Sequence, residues 1–260
     1  MKNPKISIIT ICYNSEAHLE EAILSVVNQA YKNKEYIIID GGSTDKTLSI
    51  IEKYRNKIDY FVSEPDKGIS DAFNKGIKVA TGDMIGIINS DDKLEKDGLQ
   101  MVAESYEDSV DLYRGILRTW NSETGFVYDQ YPTMDWPMIP FKMVVAHPST
   151  FVTKRAYEQY GCFDVSLKYS MDLDLLLRLE RNHVVKKYID SPLAYFRLGG
   201  VSQSNEINRT KEICEILANN GSSRFQVLCF KMYYKFRLRT KHLIISLFGN
   251  KIKSYFSKKI

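Results

Sequence analysis

Isoleucine-rich apolar runs recur through the first ninety positions, and each ends in a polar or acidic cluster. Lys5 to Ile11 runs into Cys12-Tyr13-Asn14, Ile37-Ile38-Ile39 into Asp40, and Ile85-Gly86-Ile87-Ile88 into Asn89-Ser90-Asp91-Asp92. Continuous apolar runs of this length mark strands buried on both faces, as in a parallel sheet. The pattern predicts strands near 5–11, 35–40, 58–62 and 83–88, with helices near 16–29, 44–55 and 70–80 between them. The second helix is expected to start after Ser43 as its cap, with Asp45 in the first turn where the helix dipole favours negative charge. The third is expected to start after Ser70 and to bury Phe73, Ile77 and Ala80. Such alternation builds a parallel sheet with crossover helices, whose ligands gather at the carboxyl ends of the strands. Three such ends carrying Tyr13, Asp40 and Asp91-Asp92 make one polar crevice. Adjacent carboxylates are costly side by side unless a cation lies between them, so a divalent metal holding a phosphorylated ligand is expected there.

Beyond residue 110 the pattern changes. Asp111 to Gln130 reads as two strands around the turn-rich Asn121-Ser122-Glu123-Thr124-Gly125. Residues 131–150 are proline-spotted and irregular. A strand from Ser149 to Thr153 precedes a short helix near 154–160. A stronger helix covers about 171–182, with Leu173, Leu176 and Leu177 inward and Asp174 paired with Arg178. The reading is one catalytic domain over 1–205, with a donor half over about 1–92 and an acceptor half over about 93–205. A helical basic and aromatic extension, 206–260, follows.

At 260 residues and 44% hydrophobic, the chain can bury a full core. The four cysteines lack CxxC spacing, which points to neither zinc nor a disulfide framework. Met1-Lys2-Asn3-Pro4 leads into a strand and not into an apolar leader, and no run reaches the ~20 apolar residues of a membrane span. The net charge of +4 hides a split: residues 1–215 carry 26 basic and 32 acidic residues, while the last 45 carry ten basic and no acidic ones. The tail also interleaves Phe225, Phe230, Tyr233, Tyr234, Phe236, Phe248, Tyr255 and Phe256 with those charges. A basic, aromatic element suits an anionic membrane surface, and a helical pair packing its aromatics on the core behind a solvated basic face is the alternative. No recognised nucleic-acid module accompanies the charge, so nucleic acid is not an expected partner.

Each polar cluster also has a plainer reading. Asp91-Asp92 could be a solvated turn, but its place after an apolar strand, beside two matching strand ends, favours a cation site. Gly41, Gly42, Ser43 and Asp45 suit a strand-to-helix turn, whereas Asp40 ends a strand and could bond a base or ribose. The segment Glu64 to Gly76 is unusually polar for a link; some of it must be capping, and Lys67 and Lys75 are either surface lysines or candidates for phosphate or sugar contacts. Asp172 could simply favour a helix start, and His147, before Pro148, could be structural. Neither GxGxxG nor GxxxxGK[ST] is present.

Taken together, Ile6 to Asn14, Asp40 to Asp45 and Asn89-Ser90-Asp91-Asp92 resemble the GT-A-fold family 2 glycosyltransferases. The stretch Ser170 to Leu179 resembles that family's catalytic-base motif. Glu64 to Gly76 and His147-Pro148-Ser149 resemble a bacterial branch that builds polysaccharides. The resemblance covers about residues 4–205 and implies a mostly parallel α/β sheet with flanking helices. It also implies an inverting transferase that takes a sugar, from a UDP-sugar by preference, to a hydroxyl of a glycan or lipid-linked glycan. Tyr13 and Asp40 would contact base and ribose. Asp66, Lys67, Asp71, Asn74, Lys75 and Asn89 would lie on the donor side. Asp91 and Asp92 would hold Mn2+ or Mg2+, and Asp172 would be the general base. His147 and Arg197 would face the acceptor. Asn89 stands where relatives have an aspartate, Met171 where many have glutamate, and Leu198 where relatives often have histidine. The implied setting is the cytoplasm, at the inner face of the membrane. A nucleotidyltransferase, or a binding module that has lost activity, is the alternative.

Overall fold

The computed structural model describes residues 2–121, 124–132, 147–198 and 206–248. The chain forms two compact units, residues 1–205 and 206–260. In the first, nine strands among the described residues form one sheet. They are β1 (Ile6–Cys12), β2 (Lys34–Asp40), β3 (Tyr60–Ser63), β4 (Met84–Ile87), β5 (Lys93–Leu94), β6 (Leu112–Trp120), β7 (Val127–Gln130), β8 (Thr150–Thr153) and β9 (Lys186–Arg197). The order is β3-β2-β1-β4-β8-β6-β9-β5, with β7 also on β6. β3, β2, β1 and β4 run parallel, as the isoleucine runs require. β8 then enters antiparallel beside β4, so the second half of the sheet is mixed.

Alternate residues of the central strands feed two cores, because successive side chains of a strand point to opposite faces. Ile6, Ile8, Tyr36 and Ile38 join α1 (Leu19–Val27), α2 (Thr47–Lys53) and α4 (Gly98–Glu104) through Ile23, Val26, Ile51, Leu99 and Val102. Ile9, Ile37, Ile39 and Ile87 join α3 (Ile69–Val79), α5 (Lys154–Tyr160) and α6 (Met171–Arg181) through Phe73, Ile77, Tyr157, Leu175 and Leu179. Helices therefore cover both faces, and the loops at the carboxyl ends of β1, β2 and β4 are left to build a site. Within α6, Asp174 pairs with Arg178 at 3.1 Å, and Leu173, Leu176 and Leu177 are buried.

Several expectations about element ends need correction. α2 begins at Thr47 after Lys46, and Ser43 is not its cap: the Ser43 hydroxyl donates to Asp40. Asp45 lies ahead of the helix, where its Oδ1 accepts the Thr47 N–H. α3 starts one residue early, with Ser70 buried in its first turn and donating to the Leu167 carbonyl at 3.2 Å. α4, β5 and β9 were not foreseen from sequence. β9 hides its strand character because Pro192 sits at a double register shift against β6, a place where a proline without an N–H costs no ladder bond.

The second unit contains α7 (Glu206–Asn219) and α8 (Arg224–Phe248). Ile216, Leu217, Phe230 and Tyr234 are buried, and Arg209 Nη2 donates to Tyr234 Oη at 2.9 Å. α8 leaves Phe225, Leu228, Met232, Phe236 and Leu243 exposed. Their spacing puts them on one helical stripe, opposite Phe230 and Tyr234. No described helix is long and apolar enough to cross a membrane.

Candidate active site

The carboxyl ends of β1, β2 and β4 are tied into one rim. The Gly41 N–H donates to the Cys12 carbonyl at 2.9 Å. Asn14, held at a left-handed φ of 46°, accepts the Thr44 N–H at 2.9 Å and gives its own N–H to Ser43 Oγ at 2.8 Å. Ser90 Oγ donates to Ser15 Oγ at 2.9 Å, which joins the β4 end to the β1 end.

Asp40 is fully buried and serves this rim. Its Oδ2 accepts the Gly42 and Ser43 N–H groups at 3.0 and 2.9 Å and the Ser63 hydroxyl at 2.6 Å. Its Oδ1 takes the Ser43 hydroxyl. These bonds give Asp40 a bracing role in the turn, beside its candidacy for base or ribose. Burial, and then the Asp40 charge, push the Cys12 thiol far above its ordinary range and leave it a packing group. Tyr13 is open, with its side chain 63% exposed. A Cβ at Gly41 would lie 2.5 Å from Asp66 Oδ2 and 3.4 Å from Tyr13 Cδ2. A side chain there would have to displace the Asp66 carboxylate, and the bare backbone stands between an aromatic ring and that carboxylate.

The link into α3 divides into open and engaged residues. Asp66 Oδ1 accepts the Gly68 N–H at 2.8 Å, and the Lys67 side chain is exposed. Asp71 accepts the Lys67 N–H at 3.0 Å. Lys75 reaches Glu64 at 2.9 Å and the Pro65 carbonyl at 3.0 Å. The Asn74 amide clamps Phe163, accepting its N–H at 2.9 Å and donating to its carbonyl at 2.8 Å. Asp71, Asn74 and Lys75 thus hold the α3 entry together, while Tyr13, Asp66 and Lys67 are the more open of the donor-side candidates.

At the end of β4, Asp91 and Asp92 differ. Asp92 is buried; its Oδ1 accepts the Arg197 N–H at 3.1 Å and its Oδ2 accepts from Asn89 Nδ2 at 3.2 Å. Burial first, and Asp91 second, push the Asp92 carboxyl up to about 7, while His147 and these bonds pull it back. Asp91 is half-buried, and among the described residues nothing hydrogen-bonds its carboxylate. Arg197, an acceptor-side candidate, braces this turn. Its Nε donates to the Asp91 carbonyl at 3.2 Å, its Nη2 pairs with Glu21 at 3.0 Å, and its guanidinium lies 4.2 Å from the Trp120 ring centroid. Lys93 sits 4.0 Å from the same centroid. Trp120, Glu21 and Lys93 carried no motif, and only the position of Trp120 at a strand end set it apart.

No three-residue His, Cys, Asp or Glu cluster able to hold a metal occurs among the described residues. The free Asp91 carboxylate does fit a cation such as Mg2+ or Mn2+, which takes one or two carboxylates and completes its shell with phosphate oxygens and water.

Asp172 opens α6, where its Oδ1 accepts the Leu173 N–H at 2.8 Å. His147 Nδ1 lies 3.7 Å from Asp172 Oδ2, and His147 Nε2 lies 3.0 Å from Asn89 Nδ2. Burial pulls the His147 pKa down, but Asp172, Asp92 and Asp91 outweigh it and hold the ring above its ordinary value. Arg114, buried in β6, was not foreseen; burial lowers its pKa to about 10 against the raising fields of Glu180 and Asp172. Asn89, Asp91, Asp92, His147, Asp172 and Arg197 thus meet in one place, although they come from four separate segments.

The sequence model of Glycosyl transferase family 2 matches residues 7–161. The chain belongs to glycosyl transferase family 2. It is a glycosyltransferase, and the nucleotidyltransferase alternative is set aside. An uncharacterized glycosyltransferase of Mycobacterium tuberculosis is 31% identical over 186 residues, covering 67% of this chain and 68% of the relative. A PGL/p-HBAD biosynthesis glycosyltransferase of Mycobacterium bovis is 30% identical over 214 residues, covering 78% and 81%. Chondroitin synthase of Escherichia coli is 29% identical over 184 residues, 68% of this chain but only 26% of that protein. Among solved structures, S. aureus TarS 1–349 in complex with UDP-GlcNAc superposes with a TM-score of 0.69 at 19% identity, covering 96% of this chain and 77% of that one. The mannosyltransferase PcManGT of Pyrobaculum calidifontis, in complex with GDP-Man and Mn2+, gives 0.64 at 16% identity, covering 90% and 70%. These likenesses establish the GT-A type of fold for this glycosyltransferase.

Proposed function

We propose that this family 2 enzyme transfers a sugar from a nucleoside-diphosphate sugar, a UDP-sugar by preference, to a hydroxyl of a glycan or lipid-linked glycan, with inversion. One observation carries the reading: the Asp91-Asp92 turn and Asp172 meet in a single cluster, bridged by Asn89 and His147 over 3.0 and 3.7 Å. That TarS was solved with UDP-GlcNAc and PcManGT with GDP-Man and Mn2+ supports the donor class.

The Tyr13 ring would stack on the base, beside the bare Gly41 backbone and Asp66. Lys67 would meet diphosphate oxygens as a mobile cation. Asp91 would hold a divalent cation that arrives with the diphosphate and, when bound, neutralises charge on the leaving group. Asp172 would take the proton of the acceptor hydroxyl as its oxygen attacks the anomeric carbon. The bond from that carbon to the phosphate oxygen breaks on the opposite face, and the nucleoside diphosphate leaves. General-base assistance is worth on the order of 10²–10⁴ in rate. The exposed α8 stripe with its basic flank would lie on an anionic membrane, close to a lipid-linked acceptor.

Thermal-shift titration with UDP and GDP, each with and without Mn2+, tests the donor site. A ligand at 100 times its dissociation constant adds about 2.7 kcal/mol of stability, a readable shift. The expected result is a Mn2+-dependent shift in the wild type that loses its Mn2+ dependence in Asp91→Ala. A shift in Asp91→Ala that still answers to Mn2+ would place the cation elsewhere.

A further inference from the structure

Strand register brings the Asp91-Asp92 turn, Arg197 and Trp120 side by side. β6 and β9 pair so that Trp120 stands opposite Arg197, and β5 pairs with β9 so that Lys93 stands opposite Tyr195. Two more steps along that antiparallel register lead back to Asp91 and on to Arg197. The Arg197 N–H donates to Asp92 Oδ1 at 3.1 Å and its Nε to the Asp91 carbonyl at 3.2 Å, so one residue holds both aspartates. Its Nη2 pairs with Glu21 at 3.0 Å, and its guanidinium lies 4.2 Å from the Trp120 centroid. The side chain is only 7% exposed. Each donor is a backbone or guanidinium N–H, so the direction of every bond stands whatever charge the acceptors carry.

Glu21, in α1, does more than pair with Arg197. Lys93 directly follows the turn, and its Nζ lies 3.7 Å from the same carboxylate and 4.0 Å from the same indole centroid. Two cations thus flank the turn, and Glu21 and Trp120 hold both. An aspartate's carbonyl and its carboxylate are only a few bonds apart. A guanidinium released from Glu21 can therefore fold onto the half-buried Asp91 carboxylate. A bidentate arginine–carboxylate pair would then fill the place of a divalent cation.

We propose that Arg197 and Glu21 are positioning residues for a cation at Asp91. Arg197 fixes the backbone of the turn, and Glu21 keeps Arg197 and Lys93 off the Asp91 carboxylate, which stays open to a divalent cation. Lysine is no substitute for Arg197, because one ammonium cannot serve the Asp91 carbonyl, Glu21 and the Trp120 face in a fixed geometry. The inference rests on the reading of Asp91 as the residue that holds the cation.

The test uses the full chain with Mn2+ and either UDP or GDP. Mn2+ uptake is read as loss of the free-ion electron paramagnetic resonance signal, corrected for nucleotide alone. Nucleotide affinity without metal and urea unfolding without ligand are measured beside it. Arg197→Lys is expected to raise the Mn2+ concentration for half-uptake by about ten- to a hundredfold, the usual cost of losing a partner that orients a metal-holding group. Glu21→Gln should raise it by about tenfold, with a urea midpoint near wild type because Glu21 is half-exposed. Glu20 controls for charge: it stands in the same turn of α1 but pairs with Tyr54 and Lys53. Glu20→Gln should leave Mn2+ uptake unchanged, and nucleotide affinity without metal should hold in all three variants. Wild-type Mn2+ uptake in either Arg197→Lys or Glu21→Gln overturns the proposal; if Arg197→Lys fails to fold, Glu21→Gln decides alone. A loss in Glu20→Gln as large as in Glu21→Gln also overturns it, by reducing the effect to the general field of α1. Asp91→Ala run alongside separates the two levels. Mn2+ uptake that survives there, or no uptake by the wild type, removes the cation site itself. Uptake lost in Asp91→Ala but kept in Arg197→Lys or Glu21→Gln removes only the positioning role.

Discussion

Asp40 shows how a single buried carboxylate can hold a rim of backbone and hydroxyl groups together. Four of the bonds it accepts hold Gly42, Ser43 and Ser63 at the carboxyl ends of β2 and β3, and a fifth comes from the Cys12 thiol. Replacing it with alanine strands buried donors, at about 1–3 kcal/mol. Urea unfolding of Asp40→Ala should show that loss, while Tyr13→Ala should keep wild-type stability and lose UDP affinity. Equal stability of both variants would contradict the bracing role of Asp40. In the sequence, Asp40 reads as a ligand because it ends an isoleucine strand; what it bonds depends on Ser63, 23 positions later, which no local pattern reveals. Lys75, Asn74 and Arg197 also have structural partners that no local pattern reveals. Their polar ends find Glu64, Phe163 and Glu21, and distance along the chain concealed each partner.

The elements most legible in the sequence were those with an uninterrupted period. β1, β2 and β4 are continuous apolar runs, and α3 and α6 repeat their buried positions at helical spacing. β9 was illegible because Pro192 and its register shifts break the alternation. Parallel neighbours also need bracing at their amino ends, and here Glu35 supplies it. Its carboxylate accepts from Ser7 Oγ at 2.5 Å, the Thr81 N–H at 2.8 Å, Thr81 Oγ1 at 2.7 Å and Lys5 at 3.1 Å. Burial raises its pKa, yet those hydrogen bonds win and hold it below the usual carboxylate value. A group with a depressed folded-state pKa contributes stability above its unfolded pKa of about 4.3. That stability is lost as pH falls through the folded value. Glu35→Gln should remove about 1–3 kcal/mol at pH 7. It should also flatten the acid limb of stability below pH 4.5, as read by urea midpoints; an unchanged acid limb would contradict the assignment.

Across the whole molecule, charge divides by segment. The last 45 residues carry ten basic and no acidic side chains. α8 adds an exposed stripe in which Phe225 is 73% and Phe236 69% exposed. Composition alone made that split visible, whereas the separation of the exposed stripe from buried Phe230 and Tyr234 needed the helix. Each basic residue near an anionic surface is worth about 1 kcal/mol. The full chain should float with phosphatidylserine vesicles and release in salt, and a Phe225, Met232, Phe236 to serine triple variant should bind weakly. Equal flotation of the variant would reject the stripe as the contact.

The central claim joins the family 2 fold to one base at the start of α6. Its most direct test is sugar transfer or donor hydrolysis by Asp172→Asn, measured beside UDP affinity in the same preparation. Intact affinity with turnover lowered by roughly 10²–10⁴ is the result the account predicts. Turnover near wild type would contradict it and move the base to another residue.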